Sequence, residues 1–163
     1  MKEQLDKYLG YVNYFDNFEH LNNLIESNFS SSSIVYTYGA WDLLHPGHIR
    51  LLARAKSLGD FLIVGVISDK QISDFKGKDR PIQRESERII TVGSLRMVDA
   101  VISQPIYDPS NQLEKLSKVD ILTKGDDWDY IPGQETIAKL KGKLVKLSYT
   151  SDFSTTATVK KLK

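Results

Sequence analysis

The sequence predicts an α/β protein with three layers, α/β/α, around a five-stranded parallel sheet. From Ile34 onward, short apolar or β-branched runs alternate with helical patterns along the chain. The run FLIVGVIS at residues 61–68 is apolar almost throughout, as expected of a strand that is covered on both faces. Strands that alternate with helices at this spacing form parallel sheets through right-handed crossovers.

These patterns predict five strands and five helices. We expect the strands at residues 34–38, 61–68, 100–103, 119–125 and 144–149. We expect the helices at residues 46–59, 85–98, 110–117, 134–141 and from about Thr155. The polar, basic segment at residues 68–81 is interpreted as a loop, and the whole arrangement is Rossmann-like.

Residues 1–33 differ from the rest of the chain, because they are rich in Asn, Tyr, Phe and acidic groups and end in a run of serines. Residues 15–26 have helical spacing of apolar positions. We interpret this part as a peripheral helical extension with a flexible serine-rich joint, preceding a domain at residues 34–163. His20 falls in the extension and is interpreted as a surface residue.

Composition excludes several classes of function. The 163 residues are 40% hydrophobic and 26% charged, with a formal net charge of +1, which gives no basis for nucleic-acid or membrane binding. The chain has no cysteine, so a disulfide framework, a thiol nucleophile and a thiolate metal site are excluded. The first residues lack the apolar region of a signal peptide, and no run approaches membrane-spanning length; we expect a cytoplasmic protein.

The predicted sheet also indicates where a ligand site would lie. In open parallel sheets, ligands bind outside the carboxyl ends of the strands, where the strand order reverses. The loops expected to form the site are therefore residues 38–48, 68–81, 124–133 and 149–156.

The first of these loops, YGAWDLLHPGHIR at residues 38–50, holds two of the three histidines of the chain. Pro46 suits the first turn of a helix, and the free N–H groups of a helix start attract phosphate. His45 and His48, three residues apart, point the same way, so both rings can donate N–H bonds to a transferring phosphoryl or nucleotidyl group. Two alternatives are a metal site, which needs a third ligand from elsewhere, and ordinary polar residues at a helix start.

The pattern Gly39, Asp42, His45, Gly47, His48 resembles the signature of the HxGH nucleotidyltransferases, the cytidylyltransferase-like family. The resemblance covers about residues 34–160 and is greatest to the bacterial glycerol-3-phosphate cytidylyltransferases. It implies transfer of CMP from CTP to a small phosphorylated acceptor with release of pyrophosphate. It also implies Mg²⁺, a homodimer, and a product that serves as a precursor of cell-surface polysaccharide.

The resemblance also assigns site residues. It implies catalytic roles for His45, His48, Lys76 and Arg96. It implies a nucleotide site made of Tyr38, Gly39, Ala40, Trp41, Asp42, Gly47, Arg88, Lys124, Asp126, Asp127, Trp128, Ser154, Thr155 and Thr156. Acceptor binding is expected of Lys78, Arg80, Tyr149 and Asp152. Asp42 is a candidate to orient the site, and no protein ligand of a metal is assigned.

Four further segments carry these assignments. Lys76 and Lys78 flank Gly77 in a basic loop, and the arginines at 84 and 88 have i,i+4 spacing, so both groups suit a triphosphate. Residues 96–101, RMVDAV, and residues 124–128, KGDDW, resemble segments of the cytidylyl enzymes. Residues 150–156, TSDFSTT, resemble a motif whose hydroxyls and N–H groups form a second phosphate cup at a helix start.

Departures from the family pattern concern the acceptor. Tyr149 replaces an arginine, Asp152 replaces a glycine, and Ala40 replaces a threonine of the nearest relatives. One alternative is an adenylyltransferase of the heptose-phosphate type using ATP, which Lys124 and the segments GKDRP and GQE also resemble. A second alternative is a non-catalytic nucleotide-binding module.

Overall fold

The computed structural model describes residues 12–125 and 129–148. Eleven elements succeed one another in this part of the chain: α1 (Phe18–Asn28), β1 (Ile34–Gly39), α2 (Pro46–Lys56), β2 (Phe61–Ile67), α3 (Asp69–Lys76), α4 (Glu85–Gly93), β3 (Ala100–Gln104), α5 (Ser110–Lys115), β4 (Ile121–Gly125), α6 (Gln134–Lys139) and β5 (Lys143–Leu147). The predicted terminal helix from Thr155 lies outside the described residues. No described helix is long and apolar enough to cross a membrane.

The five strands form one sheet in the order β3-β2-β1-β4-β5, and every pairing is parallel. This confirms the predicted Rossmann-like α/β fold. The chain moves outward from β1 through β2 to β3 and then returns to place β4 on the other side of β1. The strand order therefore reverses between β1 and β4, and the crevice expected to receive a ligand lies at their carboxyl ends.

Two apolar layers cover the two faces of the sheet. On one face, Leu52 and Ala55 of α2 and Ile89 and Val92 of α4 pack against alternate residues of the strands. On the other face the buried contacts come from four helices: α1, α3, α5 and α6. Because both faces are covered, β2 is buried along its whole length, as its unbroken apolar run predicted.

Gly65 in β2 permits a close approach between neighbouring strands. The hydroxyl of Tyr36 donates to Oε1 of Gln104 at 2.7 Å, directly over this glycine. A Cβ at position 65 would come within 2.4 Å of both oxygen atoms. Glycine is thus required here, and the bond links β1 to β3 across β2.

The helix predicted in the N-terminal extension is present as α1, but it packs into the core and is not peripheral. Leu21 and Ile25 of α1 are 0% and 1% exposed and belong to the main core. Tyr14 forms a parallel bridge with Val101, which covers the outer edge of β3. The serine run is held as well, because the Lys118 ammonium donates to backbone oxygens of two serines. The helical spacing predicted the helix but not its deep burial, because only Leu21 and Ile25 of α1 are buried and the rest of the helix is polar or partly exposed.

Residues 68–81 were predicted to form a loop, but the structure shows a helix in the first half of this segment. Residues Asp69–Lys76 form α3, and the hydroxyl of Ser68 accepts the N–H of Gln71 at its start. Ile72 is 2% exposed and anchors the helix on the sheet. This single buried side chain gives too little apolar periodicity for the helix to be evident in the sequence.

Candidate active site

The loop after β1 is held in an unusual backbone conformation. Trp41 and Leu43 have φ angles of 55° and 48°, in the left-handed region that non-glycine residues rarely adopt. Two hydrogen bonds stabilise the conformation: the Trp41 indole N–H donates to the Gly65 oxygen at 3.0 Å, and the Leu43 N–H donates to Oε1 of Gln83 at 2.9 Å. The loop thereby delivers the two histidines to the carboxyl edge of the sheet.

His45 and His48 are brought together at the start of α2, as their spacing predicted. Their rings stack with centroids 3.8 Å apart and an interplanar angle of 23°. His45 is the N-cap of the helix, and its Nδ1 accepts the N–H of Gly47 at 3.1 Å. On the neutral ring the proton is therefore on Nε2, which leaves that N–H as a donor.

The electrostatic environment keeps both rings neutral near pH 7. Burial lowers the pKa of His45. The pKa of His48 is lowered to about 3, first by burial, then by the neighbouring His45 and Lys76, with Asp42 opposing the shift. Two charged imidazoles at this separation would also repel one another. The pair thus presents neutral N–H donors to an anion and does not act as two fixed cations.

Lys76 is the last residue of α3, and its positive charge helps to lower the pKa of His48. The side chain is exposed overall, yet desolvation, followed by repulsion from Arg80, lowers the pKa of its ammonium. Gly77 comes next with a φ of 96° and lets the chain turn away from the helix. The charge of Lys76 thus acts on His48, and its catalytic role stays a prediction.

Asp42 connects the histidine loop to the basic loop. Its two carboxylate oxygens accept the backbone N–H groups of Ile82 and Gln83 at 3.0 and 2.9 Å. One of them also meets the Arg80 guanidinium at 2.9 Å, with side chains only 1% and 12% exposed for Asp42 and Arg80. Gln83 completes the link by accepting the N–H of Leu43. Gln83 was not predicted as a site residue, since a lone glutamine has no sequence signal.

The remaining basic residues of this region border a cleft. Lys78 and Arg84 are exposed and, with Arg80, line a surface cavity of about 340 Å³ that also contacts Lys70 and Asp69. Within the described part of the chain, the buried Nε of Arg80 finds no hydrogen-bond partner. Their roles in acceptor and phosphate binding stay predictions.

Arg88 does not face the site, contrary to the prediction that it binds nucleotide. It is 0% exposed and donates to the backbone oxygens of Gln83 and Ala40 and, at 2.7 Å, to the Asp69 carboxylate. The physical reason is its direction, since the side chain points from α4 into the protein. In the described structure Arg88 thus links the loop after β1, the basic loop and the start of α3, and its predicted role in nucleotide binding stays a prediction.

Arg96, predicted to be catalytic, is not brought to the histidines either. It lies in the turn between α4 and β3, just before Ala100, and is exposed. This turn precedes the amino end of a strand, whereas the histidines come after the carboxyl end of β1. Within this chain, Arg96 and the histidine pair therefore lie at opposite ends of the parallel strands.

Tyr38 and Gly39 end β1 at the crevice, and Ala40 follows them; their roles in nucleotide binding stay predictions. The buried Lys124, at the end of β4, donates to the Tyr38 backbone oxygen at 2.9 Å and lies 3.9 Å from the Tyr38 ring centroid. A Cβ on Gly39 would approach the Trp41 indole to 3.0 Å, so the glycine leaves room for that ring. Gly47 lies in the first turn of α2, and its backbone N–H donates to Nδ1 of His45.

Eight predicted residues lie outside the described part of the chain, so their roles stay predictions: Asp126, Asp127, Trp128, Tyr149, Asp152, Ser154, Thr155 and Thr156.

A protein-held metal does not fit the described residues. In residues 12–125 and 129–148, no group of three or more histidine or acidic side chains is arranged to hold an ion. Asp42 is the carboxylate nearest the histidines along the chain, and it is occupied by two N–H groups and a guanidinium.

The sequence profile of the family described as Cytidylyltransferase-like matches residues 36–161, most of the chain. This chain belongs to that family. That family is one of nucleotidyltransferase-type α/β proteins, which agrees with the Rossmann-like sheet. The chain is 39% identical over 135 residues to "Bifunctional protein HldE" of Pseudomonas fluorescens, a match that covers 82% of this chain and 28% of that protein. The chain spans about a quarter to a third of the length of the curated relatives it matches.

Two solved structures have a similar fold. The lipopolysaccharide core biosynthesis protein of Thermoplasma volcanium superposes with a TM-score of 0.64 at 31% identity, covering 74% of this chain and 99% of that one. Pantoate-beta-alanine ligase of Francisella tularensis superposes with a TM-score of 0.61 at 17% identity, covering 86% and 68% respectively. The second likeness concerns the fold alone.

Proposed function

We propose that this chain transfers the adenylyl group of ATP to a sugar phosphate of the heptose-phosphate type and releases pyrophosphate. The stacked, neutral pair of His45 and His48 at the start of α2 carries the proposal, because it offers convergent N–H donors to a phosphate. The relatives named HldE and the lipopolysaccharide core protein support this donor and acceptor. Lys124 and the segment GKDRP, which resemble the heptose-phosphate group, support them too.

Cytidylyl transfer from CTP, the first expectation from the sequence, is the second candidate. Its support comes from Asp126 and Trp128, which resemble the cytidylyl enzymes. Arg96 had been a third argument for CTP, but its position at the amino edge of the sheet removes it from the site of this chain. Ala40 and Tyr149 also depart from the pattern of the glycerol-phosphate enzymes. The balance therefore favours ATP.

The reaction needs no covalent enzyme intermediate. An oxygen of the acceptor phosphate attacks the α-phosphorus of the nucleotide in line. The bond from that phosphorus to the bridging oxygen breaks, and its electron pair leaves with pyrophosphate. Because a phosphate monoester is already a nucleophile near pH 7, catalysis consists mainly of positioning and of stabilising charge.

The residues of the site divide this work. His45 and His48 donate N–H bonds to the oxygens that gain charge as the bond to pyrophosphate breaks. Lys76 supplies positive charge beside them, and Arg84 supplies it from the border of the basic cleft. Mg²⁺ is proposed to arrive with the triphosphate, because it commonly retains waters and binds substrate phosphates more than protein groups.

The assembly and the pathway are parts of the same proposal. A homodimer is supported by the family resemblance, and the printed name of the Thermoplasma volcanium protein supports a product used in lipopolysaccharide core synthesis.

The test is a pyrophosphate-release assay that crosses ATP and CTP with sugar 1-phosphates, including heptose 1-phosphate, and with glycerol 3-phosphate. We expect turnover with ATP and a sugar 1-phosphate, lost in His48→Ala. Turnover with CTP and glycerol 3-phosphate alone would replace the proposal by its second candidate. Nucleotide binding without release of pyrophosphate from any pair would favour the non-catalytic module.

A further inference from the structure

The two histidines of the site are oriented by different means. His45 is fixed by a hydrogen bond, because its Nδ1 accepts the N–H of Gly47. The Nδ1 of His48 is buried and, within the described part of the chain, finds no hydrogen-bond partner. A histidine that donates to a substrate is commonly oriented by a hydrogen bond on its other ring nitrogen. The orientation of His48 must therefore come from the side chains that pack on it.

Two aromatic side chains pack on the His48 ring. His45 stacks on it, and the Trp41 indole meets it nearly at right angles, with centroids 5.5 Å apart and an interplanar angle of 69°. Edge-to-face contact at this separation is a favoured arrangement of aromatic rings. Trp41 is 4% exposed, whereas His45 is partly exposed. The contact that His48 receives from the protein interior is therefore the one that Trp41 makes.

Trp41 is itself held in one position. Its indole N–H donates to the Gly65 oxygen at 3.0 Å, in a buried bond, and the ring belongs to the apolar core on the side of α2 and α4. Gly39 leaves room for the indole, since a Cβ there would approach it to 3.0 Å. The left-handed backbone of Trp41, with a φ of 55°, persists only where surrounding contacts fix it. The indole is thus a rigid support for the His48 ring.

The surroundings of His48 also determine where its proton lies. A proton on the buried Nδ1 would have no acceptor, so the proton of the neutral ring belongs on Nε2, where a phosphate can accept it. Burial is the first cause that lowers the pKa of His48 to about 3, followed by His45 and Lys76, with Asp42 opposing. Contact with the Trp41 indole removes water from the ring and so contributes to this burial. Trp41 therefore favours the neutral ring.

We infer that Trp41 is a positioning residue for His48: its indole fixes the plane of the imidazole so that the Nε2–H points at the transferring phosphate. The inference rests on the proposed function, in which His48 donates to the oxygens that gain charge. It is separate from the nucleotide contact that the family resemblance implies for Trp41, since the effect passes through His48. A donor that is needed most in the transition state affects kcat more than KM.

The kinetic test compares Trp41→Leu, which removes the aromatic ring, with Trp41→Phe, which keeps a ring but lacks the indole N–H. Pyrophosphate release is measured with the nucleotide and acceptor that give turnover in the wild type. We expect kcat to fall about 30- to 100-fold in Trp41→Leu and about threefold or less in Trp41→Phe, with both KM values within about twofold. An unchanged kcat in Trp41→Leu would overturn the inference. An equal loss in both variants would also overturn it, because the effect would then come from the bond to Gly65.

The control for a general loosening of the core is Val92→Ala. Val92 is 0% exposed in α4 and belongs to the same apolar layer as Trp41. Its truncation leaves a cavity but removes no ring from His48, so we expect a lower thermal midpoint and a wild-type kcat. A loss of kcat in Val92→Ala as large as that in Trp41→Leu would reduce the effect to core stability and reject the positioning role.

A spectroscopic measurement separates this inference from the proposed function, because it needs no turnover. Nitrogen-15 NMR of the imidazoles shows which ring nitrogen carries the proton and how each histidine titrates, with the His48 signals assigned by their loss in His48→Gln. In the wild type and in Trp41→Phe, we expect the proton on Nε2 and a ring that stays neutral down to about pH 4.5. In Trp41→Leu, we expect the pKa of His48 to rise toward its ordinary value.

The wild-type spectrum alone can overturn the inference, even if no variant folds: a His48 proton on Nδ1, or a mixture of the two tautomers, would show that the indole does not fix the donor. The expected spectra in a protein that releases no pyrophosphate from any pair of substrates would reject the proposed reaction and keep the effect of Trp41 on His48.

Discussion

The Asp42 carboxylate and the Arg80 guanidinium meet at 2.9 Å with both side chains nearly withdrawn from solvent. The same carboxylate accepts two backbone N–H groups of the basic loop, at Ile82 and Gln83. A single side chain thus joins the loop that carries the histidines to the loop that carries the cations. Removing its charge affects folding and site geometry together.

We predict that Asp42→Asn lowers the free energy of unfolding by about 3 kcal/mol, because it leaves a buried guanidinium without its partner charge. Urea denaturation measures the change. The control is Asp74→Asn, which removes an exposed pair with Lys70 whose side chains are 83% (Lys70) and 52% (Asp74) exposed. Exposed pairs contribute little, so we expect a change below about 0.5 kcal/mol there. Equal midpoints for the wild type and Asp42→Asn would show that the link is dispensable.

Replacing His45 or His48 by alanine is predicted to lower kcat by about 100- to 1,000-fold, the scale of losing one preorganised donor to a developing anion. The measurement is pyrophosphate release at saturating substrates, with nucleotide affinity determined separately. His20→Ala is the matched control, since His20 is exposed on α1. Near-full rates in both site variants would exclude the histidines from the chemistry.

The depressed pKa of His48 makes stability depend on pH. The pKa is about 3 in the folded protein against 6.5 for an unperturbed histidine, so between these values the unfolded chain binds a proton that the folded chain does not. Stability is therefore fully present above about pH 6.5 and decreases as the pH falls, by at most about 1.4 kcal/mol per pH unit.

The measurement is urea denaturation of the wild type, His48→Gln and His20→Gln from pH 7.5 to pH 4.5. We expect the curve for His48→Gln to fall less steeply with acid than the wild-type curve, and the curve for His20→Gln to parallel the wild type. If all three curves have the same slope, burial does not perturb His48.

Because the Arg88 guanidinium is buried, we expect its replacement to lower stability; a residue that only binds phosphate would instead lower nucleotide affinity. Its groups donate to Ala40, Gln83 and Asp69. Arg88→Met removes these donors and deprives the Ala40 and Gln83 backbone oxygens and the Asp69 carboxylate of their N–H groups, so we predict a loss of about 3 kcal/mol. Thermal unfolding measures it, with Arg96→Met as the exposed control. A stable Arg88→Met protein with weakened nucleotide binding would restore the original assignment.

Much of the fold was predictable because it depends on local patterns. The near-continuous apolar run of β2 predicted a covered strand, and Pro46 with Gly47 predicted where α2 begins. Helix geometry alone predicted the convergence of His45 and His48. These features depend on a few adjacent residues, so the sequence contains all that determines them.

The features that the sequence did not predict concern residues whose direction depends on tertiary context. Arg84 and Arg88 were interpreted as an i,i+4 pair on one helix face, but Arg84 is the N-cap with extended backbone angles. Helical spacing therefore does not relate the two side chains: one is exposed and the other is buried. Arg96 was assigned by resemblance, whereas the topology places it before the amino end of β3. Neither the burial of Arg88 nor the position of Arg96 can be predicted from the spacing of residues along the chain.

The packing of α1 leads to the last prediction. Leu21 is 0% exposed in the core, and its helix is tied to the domain by the Asn22 side chain, which bonds the Lys115 oxygen and the Ser117 N–H at 2.8 Å each. Leu21→Ala leaves a cavity in that core, so we expect unfolding to become easier by about 3 kcal/mol. Asn23→Ala, at an exposed position of the same helix, controls for helix propensity and is expected to be neutral or slightly stabilising. Urea denaturation measures the free energy of unfolding of both variants. A decrease below about 0.5 kcal/mol in Leu21→Ala would lie within the range of surface substitutions. It would mean that α1 is the peripheral extension that the sequence first indicated.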